Sequence, residues 1–332
     1  MKALRIHEYG GPLQLNEVGQ PAAAPGQVVV RNLATSFNPI DPGRASGVMR
    51  QVFPLELPWI PGGDVSGTVE NVGEGVTDFK VGDEVFGYTM PGGAYAEFVA
   101  IDATALALRP PVLTAEQGAA VAVVGQTAMQ ALALGKVDTG STVFIQGGAG
   151  GVGSLAIQLA HKAGAYVITT AQSKQQDALL RLGADRVIDF TQERFEDVIE
   201  PVDVLLDLVG GETLAHSYSI VKRGGIIVTF NQPPDFQECE KHGIQGFFVQ
   251  TKVTTEGLRD FAGRVTTESV VPLIDHTETL WNPETVWTKR PSGSAVGKIV
   301  FTLRLPDRVQ QTSTRNHRQD HLQIQGEITW LK

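Results

Sequence analysis

Residues 144–153 read Phe-Ile-Gln-Gly-Gly-Ala-Gly-Gly-Val-Gly, the sharpest chemical signal in the chain. Gly148, Gly150 and Gly153 stand in G-x-G-x-x-G spacing, a pattern that brings backbone close to a pyrophosphate. Gly148 is expected to allow the tight turn, Gly150 the approach of a phosphate, and Gly153 the close packing of the next helix on the strand before it. Ala149, Gly151 and Val152 complete the loop. The helix that starts here offers free N–H groups and the positive end of its dipole to an anion. A plain glycine-rich turn is the competing reading. An apolar strand pattern before the loop and an amphipathic helical pattern after it favour dinucleotide binding.

The next stretch bears on which dinucleotide. In NAD-binding units a carboxylate about 20 residues past the loop holds the ribose 2′-hydroxyl. The corresponding residues are Thr170-Ala171-Gln172-Ser173-Lys174, without an acid, and Asp177 follows inside a helical pattern. An acid would repel a 2′-phosphate, whereas a hydroxyl and a cation would accept one. The pattern therefore points to NADP, with Ser173 and Lys174 as phosphate contacts. The alternative is that Lys174 is merely a solvated residue at a helix start.

Other chemistries find little support. Of the 7 histidines, only His317 and His321 are spaced i, i+4, and they sit in a polar stretch with no cysteine partner, so no metal site is expected. The single cysteine, Cys239, excludes an internal disulfide and a cysteine-rich zinc lobe. Lys plus Arg number 27 against 36 Asp plus Glu. The resulting charge of −9, with no basic cluster, disfavours nucleic acid and anionic membranes as partners. No apolar run approaches the roughly 18 residues of a membrane span. Met1 to Ile6 read as a short strand rather than a secretory leader, and a reducing cytoplasm is the expected location.

The elements that must position these residues fall into two blocks. At roughly 150 residues per domain, 332 residues predict about two domains. Residues 1–118 are rich in Gly, Pro and Val, with strand patterns at Val28–Val30, Val65–Val72, Asp83–Tyr88 and Tyr95–Ile101 between Pro-Gly turns. They predict a small, irregular β-barrel-like domain. From 119 to 269 strands alternate with helices, the mark of a doubly wound parallel sheet in an α/β protein. Thr114 is expected to cap a helix with Glu116 near its start, and a second helical run is expected from Thr127 to Leu134. Strands follow at 142–145, 166–168, 186–189, 204–206, 226–230 and 245–250. Helices are expected at 151–162, 175–182, 213–221 and 257–265. The polar stretch from Pro233 to Gly246 reads as a loop. Strand patterns at 271–274 and 298–303 suggest that residues 270–305 complete the first domain, and 306–332 read as a polar tail.

Several ordered stretches resemble the zinc-independent quinone oxidoreductases of the medium-chain dehydrogenase/reductase superfamily. They are Asn38-Pro39-Ile40-Asp41, Pro61-Gly62-Gly63-Asp64-Val65-Ser66-Gly67, Val81-Gly82-Asp83-Glu84-Val85-Phe86-Gly87, Gly93-Ala94-Tyr95-Ala96-Glu97, Gly125-Gln126-Thr127-Ala128, the glycine loop, Leu182-Gly183-Ala184-Asp185, Asp207-Leu208-Val209-Gly210-Gly211 and Gly297-Lys298-Ile299-Val300. The resemblance implies a GroES-like catalytic domain, a Rossmann domain, a cleft between them for nicotinamide and substrate, and a homodimer joined at the Rossmann sheet edge. Zinc-dependent relatives carry a Cys and a Gly-His-Glu motif where this chain has Asn38 and Gly62-Gly63-Asp64. The resemblance thus implies hydride transfer from NADPH to a quinone or similar conjugated acceptor without zinc.

It further implies that Thr127, Val209 and the backbone at Phe230-Asn231 hold the nicotinamide. The Asn38 amide, with Asp41 nearby, would stabilise charge on the acceptor oxygen. Alternatively, Asn38 and Asp41 only stabilise a turn, since Asn-Pro and Asp-Pro readily start one. Many relatives carry a Tyr just after the Asn-Pro-x-Asp stretch, where this chain has Pro42. Tyr88, Tyr95 or solvent are then the candidate proton donors, and Tyr95 lies in a core-like strand pattern. An alkenal or enoyl reductase is the nearest alternative, and a catalytically weak NADPH-binding sensor or structural protein the alternative of another class.

Overall fold

The computed structural model describes residues 1–288 and 296–303. The predicted tail at 306–332 lies outside the described residues. Two lobes share the chain. The first begins with β1 (Lys2–Arg5), β2 (Gln14–Glu17), β3 (Gln27–Ser36) and the short α1 (Ile40–Ala45). It continues with β4 (Asp64–Val72), β5 (Glu84–Tyr88), β6 (Phe98–Asp102) and β7 (Leu106–Leu108). The long β3 pairs antiparallel with β4 and β6, and its Val28 and Val30 point into a core with Val65, Val85 and Ile101.

Helix α2 (Ala115–Leu134) then leads into the second lobe. Two helical runs were expected here; a single helix passes unbroken through Thr127. Its Thr114 cap closes a capping box with Gln117 rather than with Glu116. Within it Gly125 is a packing device, because a Cβ there would meet the Phe261 ring at 2.8 Å.

The second lobe runs β8 (Thr142–Gln146), α3 (Gly151–Lys162), β9 (Tyr166–Ala171), α4 (Gln176–Arg181), β10 (Arg186–Asp189), α5 (Phe195–Val198) and β11 (Val202–Asp207). It continues with α6 (Gly211–Ala215), β12 (Val221–Thr229), α7 (Phe236–His242), β13 (Gln245–Phe248) and α8 (Thr255–Glu268). Strand order is β10-β9-β8-β11-β12-β13, with every neighbouring pair parallel. Helices pack into two separate cores against the sheet, one on each face, so the strands read as apolar runs. The order reverses between β8 and β11. Their carboxyl ends diverge there and open a crevice.

Some boundaries differ from expectation. The helix expected at 213–221 ends at Ala215, and a separate 3-10 turn at Tyr218–Ile220 leads into β12. The expected loop at 233–246 contains α7, whose N-cap Asp235 accepts from the amides of Gln237 and Glu238 and whose C-terminus closes on left-handed Gly243. The last strand of this sheet stops at Phe248 rather than Gln250. Tyr95 precedes β6 and is fully buried.

The chain then returns to the first lobe through β14 (Ile274–Thr279), α9 (Pro283–Thr288) and β15 (Lys298–Thr302). The strand expected at 271–274 begins only at Ile274. β15 pairs with β3, giving the order β14-β15-β3-β4-β5-β7. The lobes also share apolar contacts: Phe86, Ala107 and Leu113 of the first join α2, Leu155, Leu206 and Phe261 in one buried cluster. Among the described residues no helix is long and apolar enough to cross a membrane.

Candidate active site

A cleft of about 1180 Å³ lies between the lobes, at the switch point of the parallel sheet. One wall is the glycine loop. Gly147, not Gly148, makes the turn, at φ +77°. Gly148 is required for closeness instead, since a Cβ there would stand 2.0 Å from the Thr169 hydroxyl. A Cβ on Gly153 would lie 2.4 Å from the Gly147 carbonyl oxygen, so only glycine lets α3 sit this tightly on the loop. Gly150 is the N-cap of α3 and offers no capping side chain. The first-turn amides of Gly151, Val152 and Gly153 have no partner within the helix. They line the cleft with Gly150, a cradle fitted to a phosphate.

Beside the loop, where the Lys298 stem packs against Gly151, stands a buried polar cluster. Asn38 donates from Nδ2 to Asp64 Oδ2 at 2.7 Å and accepts at Oδ1 from Lys298 Nζ at 2.7 Å. Lys298 Nζ also donates to the Phe37 carbonyl oxygen at 2.6 Å and lies 3.4 Å from Asp64 Oδ2. The Ser36 hydroxyl and the Val123 amide of α2 complete the shell around Asp64. Asn38 and Lys298 both line the cleft. The three positions matching the zinc ligands of relatives thus hold an amide, a glycine and a carboxylate engaged by an ammonium. A side chain on Gly63 would strike the Tyr88 ring, 2.2 Å from its Cβ position. Among the described residues no three His, Cys, Asp or Glu side chains cluster as metal ligands would.

Asp41 lies behind this cluster, outside the cleft lining. Its Oδ1 accepts from the Gly62 amide at 3.3 Å. Burial, reinforced by Asp64, pushes its carboxyl up to about 7. Burial, with Asp41 and Asp64 close by, also pushes the phenol of Tyr88 upward, which disfavours a tyrosinate at the cleft wall. Tyr95 packs edge-on against Phe301 in the core and does not line the cleft.

Thr127 lines the cleft, donating to the Val123 carbonyl and sharing a 2.7 Å hydrogen bond with Thr251. Phe230 and Asn231 line it too. The Asn231 amide ties down the carbonyls of Leu208 and Val209, and Asp207 accepts from the amides of Val209 and Gly210. Val209 itself lies outside the lining, as do the buried Gly148 and Ala149.

Ser173 and Lys174 follow β9, beside the loop but beyond the cleft lining. Ser173 is already engaged: its amide donates to Asp189 Oδ2 at 2.9 Å and its hydroxyl bonds the same oxygen. Hydrogen bonds from Ser173 and then Thr191 hold the exposed Asp189 carboxyl down at about 2. Counting along the chain overlooked this acid because it arrives from the adjacent strand, where Asp189 pairs with Ala171. Lys298 was also overlooked as a site residue. Its signal was a charge opening the apolar run Ile299-Val300-Phe301.

A zinc-binding dehydrogenase family model matches residues 151–255, and an alcohol dehydrogenase GroES-like domain model matches residues 24–111. The chain is 37% identical over 254 residues to the 2-methylene-furan-3-one reductase of Solanum lycopersicum. That alignment covers 71% of this chain and 64% of the relative, so the chain spans less than two thirds of that protein's length. Among solved structures, the quinone oxidoreductase from Coxiella burnetii superposes with a TM-score of 0.85 at 32% identity, covering 92% of this chain and 99% of that one. An Escherichia coli quinone oxidoreductase complexed with NADPH superposes with a TM-score of 0.81 at 25% identity, covering 91% and 100%. The fold is that of the medium-chain dehydrogenases and reductases, a GroES-like lobe joined to a Rossmann lobe. The chain belongs to this family, among its quinone-oxidoreductase-type members.

Proposed function

We propose that the protein is an NADPH-dependent, zinc-independent reductase of quinones or similar conjugated acceptors. The observation that carries this reading is one cleft whose lining holds both an anion cradle at Gly150–Gly153 and the buried Asn38 amide. The donor set around Asn38 supports the zinc-free reading, since it offers neither thiolate nor imidazole. The glycine-loop amides hold the cofactor pyrophosphate, while Thr127, Phe230 and Asn231 border the nicotinamide. Val209 supports that wall through Asn231.

The bound nicotinamide supplies a hydride and is oxidised as the acceptor is reduced. A quinone gains that hydride and a proton to become a hydroquinone. A conjugated enone gains the hydride at its β-carbon and a proton at its α-carbon. The Asn38 amide donates to the oxygen on which negative charge develops. Tyr95 lies in the core, and burial disfavours the tyrosinate that Tyr88 would become on giving up its proton, so solvent entering the open cleft delivers the proton. Asp41 holds the turn behind Asn38 in place.

Lys174 carries the preference for a 2′-phosphate, and Ser173 orders the turn beside it through Asp189. A second copy joins at the open edge strand β13, as family members do, and the lone reduced Cys239 suits a cytoplasmic location. The name of the tomato relative favours conjugated enones as the second acceptor class. NADPH oxidation followed with 1,4-naphthoquinone and with methyl vinyl ketone tests the reading. Turnover of at least one is expected, and tight NADPH binding with no turnover of either refutes it.

A further inference from the structure

We infer that Lys298 is a positioning residue that fixes and polarises the Asn38 amide, leaving one Asn38 N–H as the hydrogen-bond donor for the acceptor oxygen. This rests on the reductase reading above. Lys298 is only 6% exposed and opens an apolar strand, a costly place for a charge unless it is fully partnered. An ammonium has three protons, and three oxygens receive them: those of Phe37 and Asn38, and Asp64 Oδ2 at longer range. No proton remains for a substrate, so Lys298 acts through a neighbour.

That neighbour is Asn38. Its carbonyl faces a group that only donates, and its NH₂ faces a carboxylate that only accepts. The flipped amide would set oxygen against carboxylate and NH₂ against ammonium, so one orientation survives. Asn38 Nδ2 carries a second proton with no further acceptor among the described residues, and Asn38 lines the cleft. An ammonium on the amide oxygen draws electron density from the nitrogen and strengthens that remaining donor. The same strand also registers the cofactor side. The Gly297 amide bonds the Ala149 carbonyl at 2.6 Å, and the Lys298 stem packs against Gly151. One short segment therefore spaces the anion cradle from the oxyanion donor.

The test is steady-state kinetics of K298M, N38A, K298M/N38A and K298M/D64N with NADPH and 1,4-naphthoquinone, beside fluorescence titration of NADPH. K298M/D64N removes the uncompensated carboxylate that K298M alone leaves buried, and so keeps a folded protein under test. Losing an oxyanion donor outright costs on the order of 10²–10³ in kcat. Losing its alignment is expected to lower kcat about tenfold to hundredfold in K298M and K298M/D64N, with NADPH affinity changed by less than about twofold. K298M added to N38A is expected to cost little more than N38A alone, because the route runs through Asn38. Wild-type kcat in K298M/D64N, or losses from K298M and N38A that multiply, overturn the inference while leaving the reductase reading standing. A wild-type protein that turns over neither 1,4-naphthoquinone nor methyl vinyl ketone overturns both.

Discussion

Two glycines of the phosphate loop are expected to fail in opposite ways when given a methyl group. At Gly153 the new Cβ would lie 2.4 Å from the Gly147 oxygen and 2.7 Å from the Gly148 Cα. Both are backbone atoms of the tight loop against which the helix packs, so α3 must shift. Overpacking of this kind costs about 1–3 kcal/mol. The better helix propensity of alanine returns at most about 1 kcal/mol. G153A should therefore lose about 1–2 kcal/mol, a fall of a few degrees in Tm for a chain of this size. At Gly150 the nearest atom to a Cβ is the Gly147 oxygen at 3.4 Å, and the backbone, φ −76° and ψ 173°, suits any residue. G150A should cost less than about 1 kcal/mol, the difference between glycine and alanine at an N-cap. Its methyl group would instead stand where the pyrophosphate approaches. The NADPH dissociation constant should rise at least about tenfold, or about 1.4 kcal/mol. Thermal scans of the free proteins and calorimetric NADPH titration separate the two effects. If G150A binds NADPH as the wild type does, the cradle has been assigned to the wrong amides. If G153A melts with the wild type, the close packing of α3 is not what requires glycine.

Other perturbations test the surroundings. The raised carboxyl of Asp41 binds its proton more tightly folded than unfolded, so its contribution to stability is present below about pH 4 and is lost as pH rises through about 7. D41N removes that slope: its urea midpoint should gain on the wild type between pH 5 and pH 8, and a constant difference contradicts the assignment. K174A should weaken NADPH binding about tenfold and leave NADH unchanged, while D189N should shift the preference further toward NADPH by removing a nearby negative charge. Parallel titration with both coenzymes reads both changes, and equal losses for the two would deny Lys174 its role. Burial raises the Cys239 thiol and shields it. Native protein should resist Ellman's reagent and react only once unfolded; prompt labelling of the native protein would show that α7 opens.

Where contacts are local, the sequence was a good guide. The parallel sheet was legible because each strand and helix announces itself within about ten residues, and the glycine loop because its constraints fall within one turn. Long-range partners were hidden. Lys298 meets Asn38 across 260 positions and Asp64 across 234, so no spacing rule could join them. Asp189 reaches Ser173 only through strand pairing. Gly125 owes its place in α2 to the Phe261 ring, a partner 136 residues further along the chain. The helix at 236–242 was masked by its polarity, since only Cys239 of that turn is buried.

Because α2 and Phe86, Ala107 and Leu113 belong to one apolar cluster with the parallel sheet, the boundary drawn along the sequence does not divide the molecule energetically. Neither lobe can melt without stripping cover from the other, so heating should give a single calorimetric transition. A coenzyme seated on the glycine loop would then also protect the strands of the first lobe against hydrogen exchange, although it touches few of them.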